Sequence, residues 1–165
     1  MHVIRDATEA DLPGILAIYN EVIATSTAVF SDDPVTLKDR QAWFAARVGQ
    51  GYPVLVAADE DGAVLGFASF GDFRAWPGYR HTVEHSVHVR ADARGRGVGS
   101  ALVPPLLERA GALGKHVMVA GIDAANAGSI RMHERLGFER VGLLRQVGRK
   151  FDRWLDLVLM QRLVG

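Results

Sequence analysis

The sequence predicts one α/β domain: a mixed sheet covered by about four helices. Three observations predict it. Apolar residues switch along the chain between a helical period and a period of two. The elements run β-α-α-β-β-β-α-β-α-β-β, which is not a repeating βαβ array. The length, 165 residues, suits a single domain over residues 1–165 that buries roughly two-thirds of its unfolded surface.

Met1 to Arg5 reads as a short strand. Thr8 and Asp11 then stand three apart, a capping signature. The stripe Leu12, Ile15, Leu16, Tyr19, Val22 and Ile23 follows the spacing of one helix face. After the turn "SDDP", Thr36 and Asp39 repeat the signature ahead of a second helix to about Val48, carrying Leu37, Trp43, Phe44 and Val48. "PVLVAAD" and "AVLGFASFGDF" flank the turn "EDG" as an antiparallel hairpin. The irregular "RAWPGYR" precedes a long strand, His81 to Arg90. A glycine-rich turn opens a third helix with Val98, Ala101, Leu102, Leu106, Ala110 and Leu113 inward. Pro104 and Pro105 remove two donors from it, which predicts a kink or a tightened first turn. "KHVMVAG" is a strand, and a helix from about Ala127 to Leu136 ends at the left-handed cap Gly137, followed by apolar Phe138. Strands Glu139 to about Val147 and Trp154 to Arg162 complete the order.

Bulk composition narrows the function classes. The 48% hydrophobic and 23% charged residues are ordinary for a globular protein. The 19 basic residues balance 19 acidic ones, which argues against nucleic-acid binding by a global basic field. There is no cysteine, hence no disulfide, thiolate metal site or cysteine nucleophile. The polar "MHVIRDATEAD" lacks the apolar core of a signal peptide, and no apolar run approaches the roughly 20 residues of a membrane span. The expectation is a cytoplasmic protein without membrane or nucleic-acid partners. The histidines lack ligand spacing with carboxylates, so no metal is expected.

The segment Arg94, Gly95, Arg96, Gly97, Val98, Gly99 and Ser100 carries the strongest chemistry. Glycines let the backbone approach a ligand, and the free N–H groups of a helix start point at an anion. Two arginines add charge at the same place. The segment is not a Rossmann fingerprint, since Ser100 stands at its third glycine, nor a P-loop, since no Gly-Lys-Ser/Thr follows. A plain tight connection is the other reading.

"RGRGVG" fits R/Q-x-x-G-x-G/A through Arg94, Gly97 and Gly99, and "NAGSIRMHERLGF" supplies Asn126, Ser129, His133 and Leu136-Gly137-Phe138. These two motifs in this element order resemble the GNAT superfamily of acyl-CoA-dependent N-acetyltransferases, over Ile4 to Leu163. "IYNEVIATSTAVF", "GYRHTVEHSVHV", "SIRMHERLGF" and "KFDRWLDLVLMQ" are similar to its phosphinothricin and methionine sulfoximine acetyltransferase branch. The resemblance implies a mostly antiparallel sheet, acetyl-CoA as donor, a small amino-acid-like amine as acceptor, and a homodimer.

Acetyl transfer to an amine needs a base, because an α-amino group with a pKa near 8 is largely ammonium at neutral pH. It also needs donors for an oxyanion and an acid for the leaving thiolate. Glu84 is the candidate base. It lies mid-strand on one face with Thr82, Ser86 and His88, where a carboxylate is costly unless paired or functional. Its other reading is an ion pair with Arg80. The resemblance implies the same glutamate, acting directly or through water.

The resemblance also implies that His133, where the wider family has a tyrosine, meets the CoA sulfur as an acid or only as a contact; a structural helical histidine is the alternative. His85 points to the face opposite Glu84 in a regular strand. By the same resemblance, a backbone N–H around Val87, His88 and Val89 serves the oxyanion. The turn from Gly95 to Ser100 holds the pyrophosphate, and Asn126 contacts the pantetheine arm, with Ser129 beside it. The acceptor site is assigned to Arg74, Ala75, Trp76, Glu84, His85 and Ser86, with an arginine for the α-carboxylate. The alternative for "FRAWPGYR" is a surface loop whose aromatics pack a dimer interface. Phe30, Phe151 and Trp154 read as core rather than pocket wall. A peptide or protein N-acetyltransferase and a non-catalytic acyl-CoA sensor are the rival functions.

Overall fold

A computed structural model describes residues 2–164. The expected start of the first strand at Met1 lies outside them. The described residues form β1 (Val3–Asp6), α1 (Leu12–Thr25), α2 (Leu37–Gln50), β2 (Val54–Ala58), β3 (Val64–Asp72) and β4 (Thr82–Val89). Then come α3 (Val98–Ala112), β5 (Val117–Asp123), α4 (Ala127–Arg135), β6 (Glu139–Lys150) and β7 (Arg153–Leu163). The order and the four helices agree with the sequence reading.

The strands make one seven-stranded sheet in the order β1-β2-β3-β4-β5-β7-β6. Every neighbouring pair is antiparallel except β4 and β5, which are joined through α3 and run parallel. Alternate residues of β2 and β3 serve two cores. Leu55, Ala57, Ala68 and Phe70 pack with Leu102, Leu106 and Ile130 under α3 and α4, while Val54, Val56 and Phe67 pack with Leu12, Ile15 and Ile18 under α1. Both faces are covered, which is why β2 and β3 read as nearly continuous apolar runs.

The Thr8 N–H donates to the Asp11 carboxylate (2.8 Å), and Thr36 Oγ1 accepts from the Asp39 N–H (3.1 Å), so both capping signatures mark real helix starts. In α1 Leu12, Ile15, Val22 and Ile23 are buried as expected, Ile18 joins them, and Leu16 is only partly covered. In α2 the expected Leu37 and Val48 are exposed, and the buried residue is Arg40, 8% exposed. Its guanidinium lies 4.3 Å from the Tyr19 ring centroid and 4.7 Å from that of Trp43, so aromatic faces carry the packing that aliphatic residues were expected to carry.

α3 runs as one helix through Pro104 and Pro105, which lie beyond its first turn. Leu113, expected inward, is its exposed cap. Gly137 (φ 90°) ends α4, with the Phe138 N–H donating to the His133 carbonyl (2.9 Å) and the Gly137 N–H to Glu134 (3.0 Å), a Schellman closure.

Candidate active site

The site begins where the parallel pair ends. β4 and β5 are in register only through Thr82–Val117, Val83–Met118 and Glu84–Val119. Beyond that pair β4 stays on β3 and β5 stays on β7, so the two strands part. The His81 carbonyl accepts from His116 on the β5 side (2.8 Å), whereas the Arg90 N–H donates to Leu65 on the β3 side (2.8 Å). Alternation along an unshifted strand turns the N–H groups of His85, Val87 and Val89 toward β5; His85 closes the ladder on Val119, and Val87 and Val89 lie beyond it at the open fork. Of the three residues proposed around the oxyanion, Val87 and Val89 present free edges; the His88 N–H faces β3.

Glu84, Ser86 and His88 pair with Gly71, Ser69 and Phe67, which places them on the α1–α2 face. Glu84 opens onto a cavity of about 410 Å³ shared with Tyr19, Arg47, Ser86 and Asp123. Among the described residues it makes no ion pair, and Arg80 donates instead to the Pro77 carbonyl (3.0 Å). Loss of water around the carboxyl raises its pKa, and the Arg74 charge partly opposes this. Gly121 on β5 leaves its room: a Cβ there would stand 3.2 Å from Glu84 Oε2.

Arg47 was not singled out by the sequence reading. Its Nε donates to Ser69 Oγ (3.2 Å), and its guanidinium fills the space beside Gly71, the register partner of Glu84. Burial lowers its pKa. The signal was the spacing of Arg40, Trp43 and Arg47, three and four apart on one helix face.

The connection from α1 to α2 supplies another wall through Ala28 and Val29. The Thr27 hydroxyl donates to the Asp123 carboxylate, and Lys150 Nζ donates to the carbonyls of Ser26 (2.6 Å) and Val29 (2.9 Å). Lys150 is 2% exposed and burial lowers its pKa. Neither Thr27 nor Lys150 carries a sequence signal, since each acts across more than ninety residues.

A second cavity, about 620 Å³, lies at the start of α3. Gly95 (φ 77°) and Gly97 (φ 76°) adopt the left-handed backbone that a side chain resists, and they turn the chain into the helix. Arg94 lines this cavity and Arg135 joins it from α4. Arg96 does not line it: its guanidinium donates to the Asp92 carbonyl (2.9 Å) and ties the turn to itself. The two arginines therefore diverge rather than adding charge at one place. Asn126 caps α4, its Oδ1 accepting from the Ser129 N–H (3.1 Å). Asn126, Ser129, Val87, His88 and Ala28 border both cavities, so the two meet.

His85 lies on the face opposite Glu84, as regular register requires, and its ring meets His133 of α4. His133 is 2% exposed, with Nδ1 2.7 Å from the Ser129 carbonyl and Nε2 3.1 Å from His85 Nε2. Arg74, Ala75 and Trp76 are exposed on the β3–β4 connection. Arg74 lies over the Phe73 ring at 5.0 Å, Trp76 is 75% exposed, and none of the three lines either cavity. Phe30, Phe151 and Trp154 are all exposed, so they are not the core residues expected.

The comparisons fit this geometry. The model of the acetyltransferase (GNAT) family matches residues 15–138. An L-methionine sulfoximine/L-methionine sulfone acetyltransferase of Pseudomonas paraeruginosa is 60% identical over 158 residues, covering 96% of this chain and 92% of the relative. A phosphinothricin N-acetyltransferase of Streptomyces coelicolor is 37% identical over 161 residues, covering 96% and 94%. A phosphinothricin acetyltransferase from Sinorhizobium meliloti, solved in complex with acetyl-CoA, superposes with a TM-score of 0.96 at 41% identity, covering 99% of this chain and 89% of that one. A donor with an anionic end and a narrow arm suits a glycine cradle that meets an open strand edge. The chain belongs to the GNAT family of acetyltransferases and is an N-acetyltransferase whose donor is acetyl-CoA.

Proposed function

We propose that the protein acetylates the α-amine of a small amino-acid-like acceptor of the methionine sulfoximine, methionine sulfone or phosphinothricin type, by direct transfer, with Glu84 as general base. The observation that carries the reading is the position of Glu84: an unpaired carboxylate at the mouth of the fork, in a cavity that meets the donor cavity. Acetyl-CoA supplies an acetyl group activated as a thioester.

The acceptor arrives as an ammonium ion and must lose a proton before its lone pair can attack. A carboxylate raised above its ordinary pKa is better matched to that proton than a fully solvated one. The open N–H groups of Val87 and Val89 are the donors placed to face a developing oxyanion. Gly95 to Ser100, with Arg94, hold the diphosphate, and Asn126 and Ser129 border the arm. For the acceptor carboxylate we assign Arg74, whose charge already reaches Glu84, with Arg47 as a second guanidinium inside the cavity. His85 and Ser86 line the same cavity, and Ala75 and Trp76 are assigned to the acceptor from the exposed β3–β4 connection outside it.

The protein is proposed to act in the cytoplasm as a homodimer. Val141, Leu143, Leu144 and Val147 on the edge strand β6, with Trp154 on β7, leave exposed apolar side chains along that edge. Sedimentation should give a dimer that Leu143→Glu converts to monomer; a wild-type monomer would remove that part.

The activity is tested by CoA release, followed with a thiol reagent, from acetyl-CoA and a panel of amines. The chain has no cysteine, so background is low. Turnover confined to the tetrahedral amino-acid analogues is expected. Turnover with a short peptide alone would replace the acceptor by a protein N-terminus, and no turnover with any amine would favour a sensor.

A further inference from the structure

Where the ladder between β4 and β5 ends at Glu84–Val119, the next residue of β4 reaches across in a different way. His85 and His133 lie edge to edge, Nε2 to Nε2 at 3.1 Å, with planes 18° apart and centroids at 5.1 Å. That arrangement suits a hydrogen bond in the ring planes rather than face stacking. One proton lies between two nitrogens, and its owner can be deduced. The Ser129 carbonyl only accepts, so His133 Nδ1, at 2.7 Å, must carry a proton. A neutral His133 then offers its Nε2 lone pair, and His85 donates from Nε2.

His85 Nδ1 is left as a bare acceptor, and it is the buried side-chain atom without a partner among the described residues. The opposite assignment would set two lone pairs against each other and break the bond between the rings. Phe138, fixed by the cap at Gly137, sets its edge or face against both rings, at 5.6 and 5.1 Å, and keeps water out. The other titratable groups lining the same cavity include His88 and Glu84 on β4 and Asp123 on β5. None of them bonds to either ring among the described residues.

We propose that His133 is a positioning residue and not the proton donor to the leaving thiolate: the neutral His85–His133 hydrogen bond braces the fork and holds the first turn of α4 against β4. The bond replaces the missing strand ladder with one side-chain link. Its far end is Ser129, which borders both cavities beside Asn126. Losing the link lets α4 drift from β4 and changes the width of the donor arm's passage. A proton held between Nδ1 and a carbonyl is unavailable for transfer.

Two measurements on the whole protein test this, and neither uses the acceptor or Glu84, so they stand apart from the proposed reaction. Nitrogen NMR of ¹⁵N-histidine protein should show His133 protonated on Nδ1 and His85 on Nε2. Neither tautomer should change through the neutral range. Calorimetry of acetyl-CoA binding then compares His133→Phe, His85→Phe and the double variant. Each single change should weaken binding by about 3- to 10-fold, and the double by no more than the larger single. His133→Gln, which can still bond to His85, should recover part of the loss. A His133 that titrates near neutrality, or single effects that multiply in the double variant, would overturn the brace. So would wild-type affinity in both single variants. If a variant does not fold, the wild-type spectra decide.

Discussion

Glu84 and Val119 form the last register pair between β4 and β5, so the carboxylate stands where the two strands separate. One position earlier it would sit in closed sheet; one later its side chain would fall on the other face. The parting strands give it an unpaired, partly desolvated setting and an open strand edge nearby. The rest of the molecule holds that fork at a fixed place.

Arg74 lowers the pKa of Glu84 against the larger raising effect of desolvation. Removing that charge lets the pKa rise, and a base works only when deprotonated. Arg74→Ala should therefore move the acidic limb of kcat/KM to higher pH. The movement should be small, because Arg74 is exposed and screened. A pH–rate profile of wild type and variant checks this; a limb that stays put would belong to another group.

Lys150 ties the α1–α2 connection to β6 through two carbonyls. Lys150→Met leaves those carbonyls unmet, at about 1–3 kcal/mol. The expected Tm is lower by about 3–9 °C. Because Val29 and Ala28 wall the Glu84 cavity, KM for the acceptor should rise several-fold more than kcat falls. Calorimetric melting with steady-state kinetics separates the two effects. An unchanged acceptor KM would make Lys150 a matter of stability alone.

The buried histidines set the acid side of stability. Burial lowers His85 to about 3 and His88 to about 4, against 6.5 for the free side chain. The unfolded chain then binds protons that the folded one refuses, so this stability is present above pH 6.5 and is lost as pH falls toward those values. Each neutral histidine contributes a slope of up to about 1.4 kcal/mol per pH unit in that window. Glu84, with a raised pKa, has the opposite sign above 4.5. Urea unfolding at pH 7.5 and 5 should show a large loss that His88→Phe reduces; equal slopes in both proteins would contradict the assignment.

Much of this was legible in the chain. Apolar periodicity and two capping pairs marked the helices, and the change to period two marked the strands. Gly95, Gly97 and Gly137 marked turns that only their backbone freedom allows. Glu84 could be placed on one face and His85 on the other because β4 keeps its register. The fork itself was not legible, since no local pattern says where two strands stop pairing. Arg40 and Arg47 carry no motif, and only the fold shows Tyr19, Trp43 and Ser69 supplying rings and a hydroxyl for them. Lys150, Thr27 and Asp123 act across long separations that leave no local spacing signal. Arg96 read as part of a cationic cluster because the direction of a turn side chain is set by its own backbone bonds.

The most direct test of the account is Glu84→Gln, assayed with acetyl-CoA and methionine sulfoximine alongside a binding measurement for acetyl-CoA. The substitution keeps shape and removes the base. The expected result is a fall in kcat of about 10²- to 10⁴-fold, with the Kd of acetyl-CoA unchanged. A variant that turns over at the wild-type rate would remove Glu84 from the chemistry and leave the fork as a binding site only.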